Sequence, residues 1–316
     1  MRAIVFLPLA ATITMLCVAC TIPAGKASAP TPAPVAQADF TVHAPPAPNH
    51  CADDAGWDDP AIPRKVFGNT WYVGTCGISA LLVVSPRGAV LIDGTTAKSA
   101  AAVERSIEAL GIPLHDVRYI LGSHEHSDHA GGIAQLQRDT GATVLARAPA
   151  ASVLRRGSND RSDPQFAQLA PVPPVAQVET IDDGQVIRVG DAIALTAHAT
   201  PGHAPGGTSW TWTECEGTRC LRMAYVDSLT AISDDAWRFS EHPDYVATFR
   251  HALDVAAALP CDVLVTPHPG ASALWQRLPP DASLPLVDAG ACKSYAERGR
   301  EALDARLGEE RAEAKP

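Results

Sequence analysis

Short apolar runs alternate with stretches of helical period from Val66 onward. Ser79-Ala80-Leu81-Leu82-Val83-Val84 and Ala89-Val90-Leu91-Ile92 read as buried strands, joined by the turn Ser85-Pro86-Arg87-Gly88. Lys98 to Leu110 reads as a helix, stopped by Gly111 and Pro113. Val117-Arg118-Tyr119-Ile120-Leu121 and Thr143-Val144-Leu145-Ala146 are predicted strands on either side of a helix over Gly131 to Thr140. The second half repeats the mixture. Strands are predicted at Ala192 to Ala197, Thr208 to Thr213, Leu221 to Val226 and Asp262 to Val265, with helices over Asp244 to Leu259 and Lys293 to Leu307. No internal repeat is visible. Two halves of similar order predict an α/β chain built as two sheets packed face to face with helices outside, a four-layer αββα sandwich.

The N-terminus departs from this pattern. Arg2 supplies a minimal positive region, Ala3 to Ala19 is almost wholly apolar, and the run ends at Cys17-Val18-Ala19-Cys20. That is a secretory signal (residues 1–20), short for a stable membrane span. Val18-Ala19-Cys20 is similar to a bacterial lipobox, which would make Cys20 the lipidated first residue; Cys17 stands where that pattern usually has Leu. Cleavage after Ala27-Ser28-Ala29 is the competing reading, with Pro30 unfavourable just beyond it. Residues 21–50 are rich in Pro, Ala, Thr and Ser and cannot bury enough apolar surface to fold, which suits a linker between an anchor and a single domain over 51–316.

Composition then bounds the function. The 316 residues are 46% hydrophobic and 19% charged, as in an ordinary globular protein with a sizeable core. A formal charge of −10 without clustered Lys or Arg excludes a nucleic-acid groove. Besides Cys17 and Cys20, the chain holds Cys51, Cys76, Cys215, Cys220, Cys261 and Cys292, an even set that in an exported protein points to disulfides. Cys215 and Cys220 flank Glu216-Gly217-Thr218-Arg219 and are placed to staple a local hairpin. Zinc ligation is the alternative for these cysteines, although the folded region has no C-x-x-C pair.

The chemistry concentrates in His124-Glu125-His126-Ser127-Asp128-His129. Neutral imidazole and carboxylate are ligands that zinc prefers. On an extended stretch His124 and His126 point the same way and can reach one ion, while Asp128 and His129, entering a helical turn, can face a second. His203 lies in Thr200-Pro201-Gly202-His203-Ala204-Pro205-Gly206-Gly207, and His268 in Thr266-Pro267-His268-Pro269-Gly270 just after a predicted strand. Both are turns too rich in Pro and Gly to continue a regular element. Any one of these histidines alone suits a structural role; three separate clusters together suit a metal site. His198 and Glu125 are read as structural.

These motifs resemble the metallo-β-lactamase superfamily. Gly74-Thr75-Cys76-Gly77-Ile78-Ser79-Ala80-Leu81-Leu82, Asp163-Pro164-Gln165-Phe166, Gly206-Gly207-Thr208-Ser209-Trp210, Asp227-Ser228-Leu229-Thr230 and Thr266 to Ser272 narrow the likeness to its subclass B3, over about Val66 to Tyr295. The resemblance implies a first zinc on His124, His126 and His203 and a second on Asp128, His129 and His268, two ions per chain. It implies hydrolysis of the β-lactam amide bond by a metal-bridged hydroxide, with Asp128 as the catalytic residue. It also implies disulfides Cys51–Cys76, Cys215–Cys220 and Cys261–Cys292. Ser228 and Thr230 are candidates to hydrogen-bond a substrate carboxylate; Trp71 is read as a core residue or as lining the pocket, and Arg155 to Arg161 as a loop over the site or a simply solvated segment. A dinuclear thioesterase or lactonase of the same superfamily is the alternative enzyme, because such hydrolases bridge their metals with an Asp near Asp227, and the sequence leaves open whether Asp227 or Ser228 faces the metals. The third reading is a zinc-binding lipoprotein without catalysis. A monomer is expected, in the periplasm of a bacterium, acting on a small molecule and held to the membrane where Cys20 is acylated.

Overall fold

In a computed structural model describing residues 51–52, 54–279 and 282–313, the strands Arg64–Phe67 (β1), Thr70–Tyr72 (β2), Leu81–Ser85 (β3), Gly88–Ile92 (β4), Val117–Leu121 (β5), Thr143–Arg147 (β6) and Val178–Ile181 (β7) form one sheet in sequential order. A second sheet holds Val186–Val189 (β8), Ile193–Ala199 (β9), Thr208–Glu216 (β10), Arg219–Tyr225 (β11) and Val263–Val265 (β12), in the order β12-β11-β10-β9-β8. The first sheet is antiparallel from β1 to β4 and parallel from β4 to β7. The second is antiparallel except for the β11–β12 pair. The signal segment with Cys20 and the linker 21–50 lie outside the described residues.

Burial explains the continuous apolar runs. Every position of β3 and β4 is buried, because each face of a strand in the middle of a layered sandwich meets another layer. Tyr72, Leu81, Val90 and Leu121 of the first sheet meet Leu195, Trp210, Met223 and Tyr225 of the second between the layers. The outer face of the first sheet packs on Ala100–Ala109 (α1), Ile133–Thr140 (α3, which follows the single turn Ser127–Ala130, α2) and Ala148–Arg156 (α4). The second sheet packs on Pro243–Ala258 (α5) and, beyond the short α6 (Leu274–Arg277), on Ala291–Glu313 (α7). The buried positions of α7, namely Cys292, Tyr295, Ala296, Gly299, Leu303, Leu307 and Glu310, recur at three to four residues and form its inner stripe. The αββα architecture is therefore as the apolar pattern predicts.

Three disulfides close the periphery: Cys51–Cys76, Cys215–Cys220 and Cys261–Cys292, with Cα separations of 5.2, 4.0 and 6.2 Å. Cys215 and Cys220 stand opposite each other in the β10–β11 hairpin. Trp71 is packed in the core with residues of α1, α3 and α4, the core reading of the two weighed for it. Arg155 and Arg156 form the last turn of α4, so the irregular segment begins only at Gly157. Ala148-Pro149-Ala150-Ala151 hides that helix in the sequence, since Pro at a first helical position reads equally as a breaker.

Candidate metal centre

All three histidine clusters follow the C-terminal ends of strands, β5 in the first sheet and β9 and β12 in the second. After β5 the chain is pinned by Asp93, whose Oδ1 accepts the Ser123 N–H at 2.7 Å and whose Oδ2 accepts the Ser123 and Tyr225 hydroxyls, each at 2.7 Å. Asp93 is fully buried at φ 62°, a backbone state that costs an ordinary residue roughly 1–3 kcal/mol and persists where surroundings impose it. His126 is extended (φ −71°, ψ 151°) and α2 begins at Ser127. His124 and His126 thus share one face while Asp128 and His129 turn away on the helical turn, as their spacing predicts.

The His203 turn is held from two sides. Glu125 accepts the Gly206 N–H at 3.0 and 3.1 Å, and Arg147 donates to the Gly207 carbonyl at 2.9 Å. A side chain at Gly206 would collide with the Glu125 carboxylate and Ala150, and one at Gly207 with Asp227 Oδ2, so both glycines are sterically required. The His268 turn is fixed by Thr266, whose hydroxyl donates to the His268 carbonyl at 2.7 Å, and by the Ser79 N–H on the Pro267 carbonyl at 2.8 Å.

The rings of His124, His126 and His203 form a near-equilateral triangle, with centroids 4.6, 5.0 and 4.9 Å apart. Each ring is oriented by a partner on its outer nitrogen. His124 Nδ1 donates to Asp227 Oδ1 at 2.7 Å, and His126 Nε2 to Asp163 Oδ2 at 2.9 Å. His203 Nδ1 donates to the Thr230 hydroxyl at 2.8 Å and its carbonyl at 3.2 Å. With those protons placed, His124 Nε2, His126 Nδ1 and His203 Nε2 carry lone pairs, the tautomers a cation needs. His124 Nε2 is buried and has no hydrogen-bond partner.

Beside this triangle, Asp128 Oδ2 lies 3.1 Å from His129 Nε2 and 3.3 Å from His268 Nε2, and the two nitrogens are 3.2 Å apart. Donor atoms around a tetrahedral zinc with bonds of about 2.0–2.1 Å stand roughly 3.3 Å from one another. The set therefore fits such an ion in donor type and in spacing. His124, Asp128 and His129 also offer ligand atoms within 4.8 Å of one another, so the two sets adjoin.

Burial governs the protonation of these groups. It pushes the His124 and His203 imidazoles well below their ordinary range, keeping them neutral, and neighbouring histidines add to the effect. His126 and His129 feel the same burial, but Asp163 and Asp128 respectively overcome it and raise them. Burial raises Asp227 and Glu125 to about 7 and Asp93 to about 6. Asp128 goes the other way: burial opposes the shift, yet His129 and His268 hold its carboxyl far below the usual range.

All six sequence-predicted ligand residues thus converge. Ser228 is buried one position past Asp227, whose carboxylate turns to the outer edge of His124. Thr230 is exposed beside His203. His198 hydrogen-bonds Thr211 at 2.7 Å, and Glu125 holds the Gly206 turn, so both play the structural parts expected of them. Sequence reasoning missed four contributors. Asp163 and Asp227 fix the imidazoles; Gln165 brings its Nε2 to 3.4 Å from His203 Nε2. Trp57 is 54% exposed with its ring centroid 6.0 Å from that of His268, over a cavity of about 400 Å³ that Cys76, Gly77 and Trp275 also line. Asp163 and Gln165 stood in a motif quoted for its likeness alone, Asp227 was named with its direction left open, and Trp57 carried no signal.

Residues 73–218 match the family model of the metallo-β-lactamase superfamily. Solved structures extend the match to most of the chain. The metallo-β-lactamase SMB-1, determined with 2-mercaptoethanesulfonate, is 46% identical, with 81% of this chain and 100% of that one covered at a TM-score of 0.78. The metallo-β-lactamase MIM-1 from Novosphingobium pentaromativorans is 48% identical over 82% of this chain and 94% of its own, at 0.78. The chain belongs to the metallo-β-lactamase superfamily, a class of metal-binding hydrolases. Within it, the chain groups with subclass B3: MEM-A1, a subclass B3 enzyme isolated from a soil metagenome library, is 44% identical over 82% of this chain and 100% of its own, at 0.79.

Proposed function

We propose that this protein hydrolyses the amide bond of β-lactam antibiotics with two zinc ions, one on His124, His126 and His203 and one on Asp128, His129 and His268. The observation that carries this reading is the triangle of Asp128 Oδ2, His129 Nε2 and His268 Nε2, with sides of 3.1–3.3 Å, adjoining the set of His124, His126 and His203. Zinc, when bound, lowers the pKa of water to about 7 and polarises a carbonyl oxygen. Asp128, kept ionised, orients the attacking water by accepting a hydrogen bond from it at a carboxylate oxygen. Because Thr230 Oγ1 accepts from His203, its own O–H is left to donate, and with the Ser228 hydroxyl it binds the carboxylate of the substrate. The placement of Asp227 on the outer nitrogen of His124 favours a lactamase over a thioesterase, which would use an Asp there to bridge the metals.

The protein is exported through residues 1–20 and acts as a monomer in the periplasm, tethered by an acylated Cys20 and the linker 21–50. Among the described residues no helix is long and apolar enough to cross a membrane. Hydrolysis of a carbapenem or a cephalosporin by purified protein is expected to vanish with a chelator and return with Zn²⁺. Activity that survives exhaustive metal removal contradicts the proposal.

A further inference from the structure

We propose that Asp234 is a positioning residue for the β-lactam reaction, acting through the turn that carries Asp163 and Gln165; this rests on the function proposed above. The turn reaches the first histidine set twice, through Asp163 Oδ2 on His126 and through Gln165 Nε2 beside His203. Asp163 also accepts the Gln165 N–H at 2.8 Å with its other oxygen, so the two side chains are set by one local geometry.

Besides Asp163 itself, a residue about seventy positions on fixes that turn to the body of the protein. The Asp234 N–H donates to the Pro164 carbonyl at 2.8 Å, and its Oδ2 accepts the Ala167 N–H at 2.7 Å. These two bonds grip the chain on either side of Gln165. Asp234 is buried, and its Oδ1 accepts the Ala236 and Trp237 N–H groups at 2.9 and 3.0 Å, closing its own turn. That turn is in turn braced by α7: Arg306 donates to the Ser233 hydroxyl at 2.8 Å, and Glu310 accepts the Phe239 and Ser240 N–H groups at 3.1 and 2.7 Å. The same segment begins at Ser228 and Thr230. Asp234 therefore locks two walls of the site, the Gln165 wall and the Thr230 wall, at a fixed separation.

The chemistry of the carboxylate offers a clean test. Asp234→Asn leaves one oxygen and one amide nitrogen. With the oxygen on Ala236 and Trp237 the local turn survives, and the amide NH2 faces the Ala167 N–H, donor against donor. This variant breaks the side-chain half of the link and leaves the backbone bond to Pro164 in place. Asp234→Ala removes the side-chain bonds to Ala167, Ala236 and Trp237 together. Steady-state kinetics, thermal melting and the absorption spectrum of the cobalt(II)-substituted protein are measured for wild type and both variants. For Asp234→Asn the expected result is a KM raised about tenfold with kcat changed far less, a melting temperature close to wild type, and an altered cobalt spectrum from the loosened His126–Asp163 contact. Unchanged KM and spectrum in Asp234→Asn overturn the proposal, as does a lowered melting temperature with wild-type kinetics in the folded fraction. Should the wild type hydrolyse no β-lactam, the functional reading fails and the cobalt spectrum alone decides the role of Asp234.

Discussion

Asp227 is the sharpest point at which to probe the centre. Its Oδ1 lies 2.7 Å from His124 Nδ1, both side chains have no solvent exposure, and the bond fixes which nitrogen of His124 faces the cluster. Replacing Asp227 by Ala removes the close acceptor and leaves the Nδ1–H only the Ser123 hydroxyl, 3.3 Å away. Loss of such an outer partner lowers metal affinity by roughly 10–100-fold, or about 1.4–2.7 kcal/mol. The upper half of that range is expected here, because the bond is short and fully buried. Asp227→Asn keeps an oxygen toward Nδ1 and fits the space that Gly207 leaves, so it should retain most of the affinity. Competition titration with a chromophoric chelator measures both variants. Asp227→Ala with affinity within twofold of wild type would refute the orienting role. Comparable weakening of both zinc ions would show a bridging ligand instead.

Two further outcomes follow from the same geometry. His268→Ala should lower zinc content by one ion per chain, measured by elemental analysis, and two full equivalents would contradict the assignment of His268 to the second set. The metal-free protein should melt at progressively lower temperature as pH rises through about 7. Asp227 and Glu125, raised to about 7, bind more protons folded than unfolded from their ordinary range upward and lose that contribution by about 7, while the raised His126 and His129 lose theirs above their ordinary 6.5. The lowered His124 and His203 oppose this near 6.5, where the unfolded chain still holds part of their protons, and cease to do so above it. A flat or rising melting temperature in differential scanning calorimetry would count against these protonation states.

Much of the architecture was legible because periodicity and burial agree. Val117–Leu121 is found where its apolar run places it, and the extended-then-helical reading of His124 to His129 is matched by the extended His126 and the turn α2. Legibility failed where the determining contact is distant. β8 alternates buried and exposed side chains over only four residues at a sheet edge, too short a signal to separate from a loop. Trp71 stayed open between core and pocket because a Trp near a glycine-rich motif says nothing about which face of β2 it occupies. The ligands were readable because metal chemistry restricts residue types, whereas the groups that aim them, such as Asp227 and Asp163, are ordinary carboxylates until the fold brings them to an imidazole.

The proposed ligands come from both halves of the sandwich: His124 to His129 follow a strand of one sheet, His203 and His268 strands of the other. Any cation held by them is thus a rivet across the seam as well as a reagent. By mass action it adds about 2.7 kcal/mol to folding when free metal stands a hundredfold above its dissociation constant. In zinc-starved surroundings the chain loses that fastening together with its catalyst, and proteases gain access to a protein whose layers are no longer clasped.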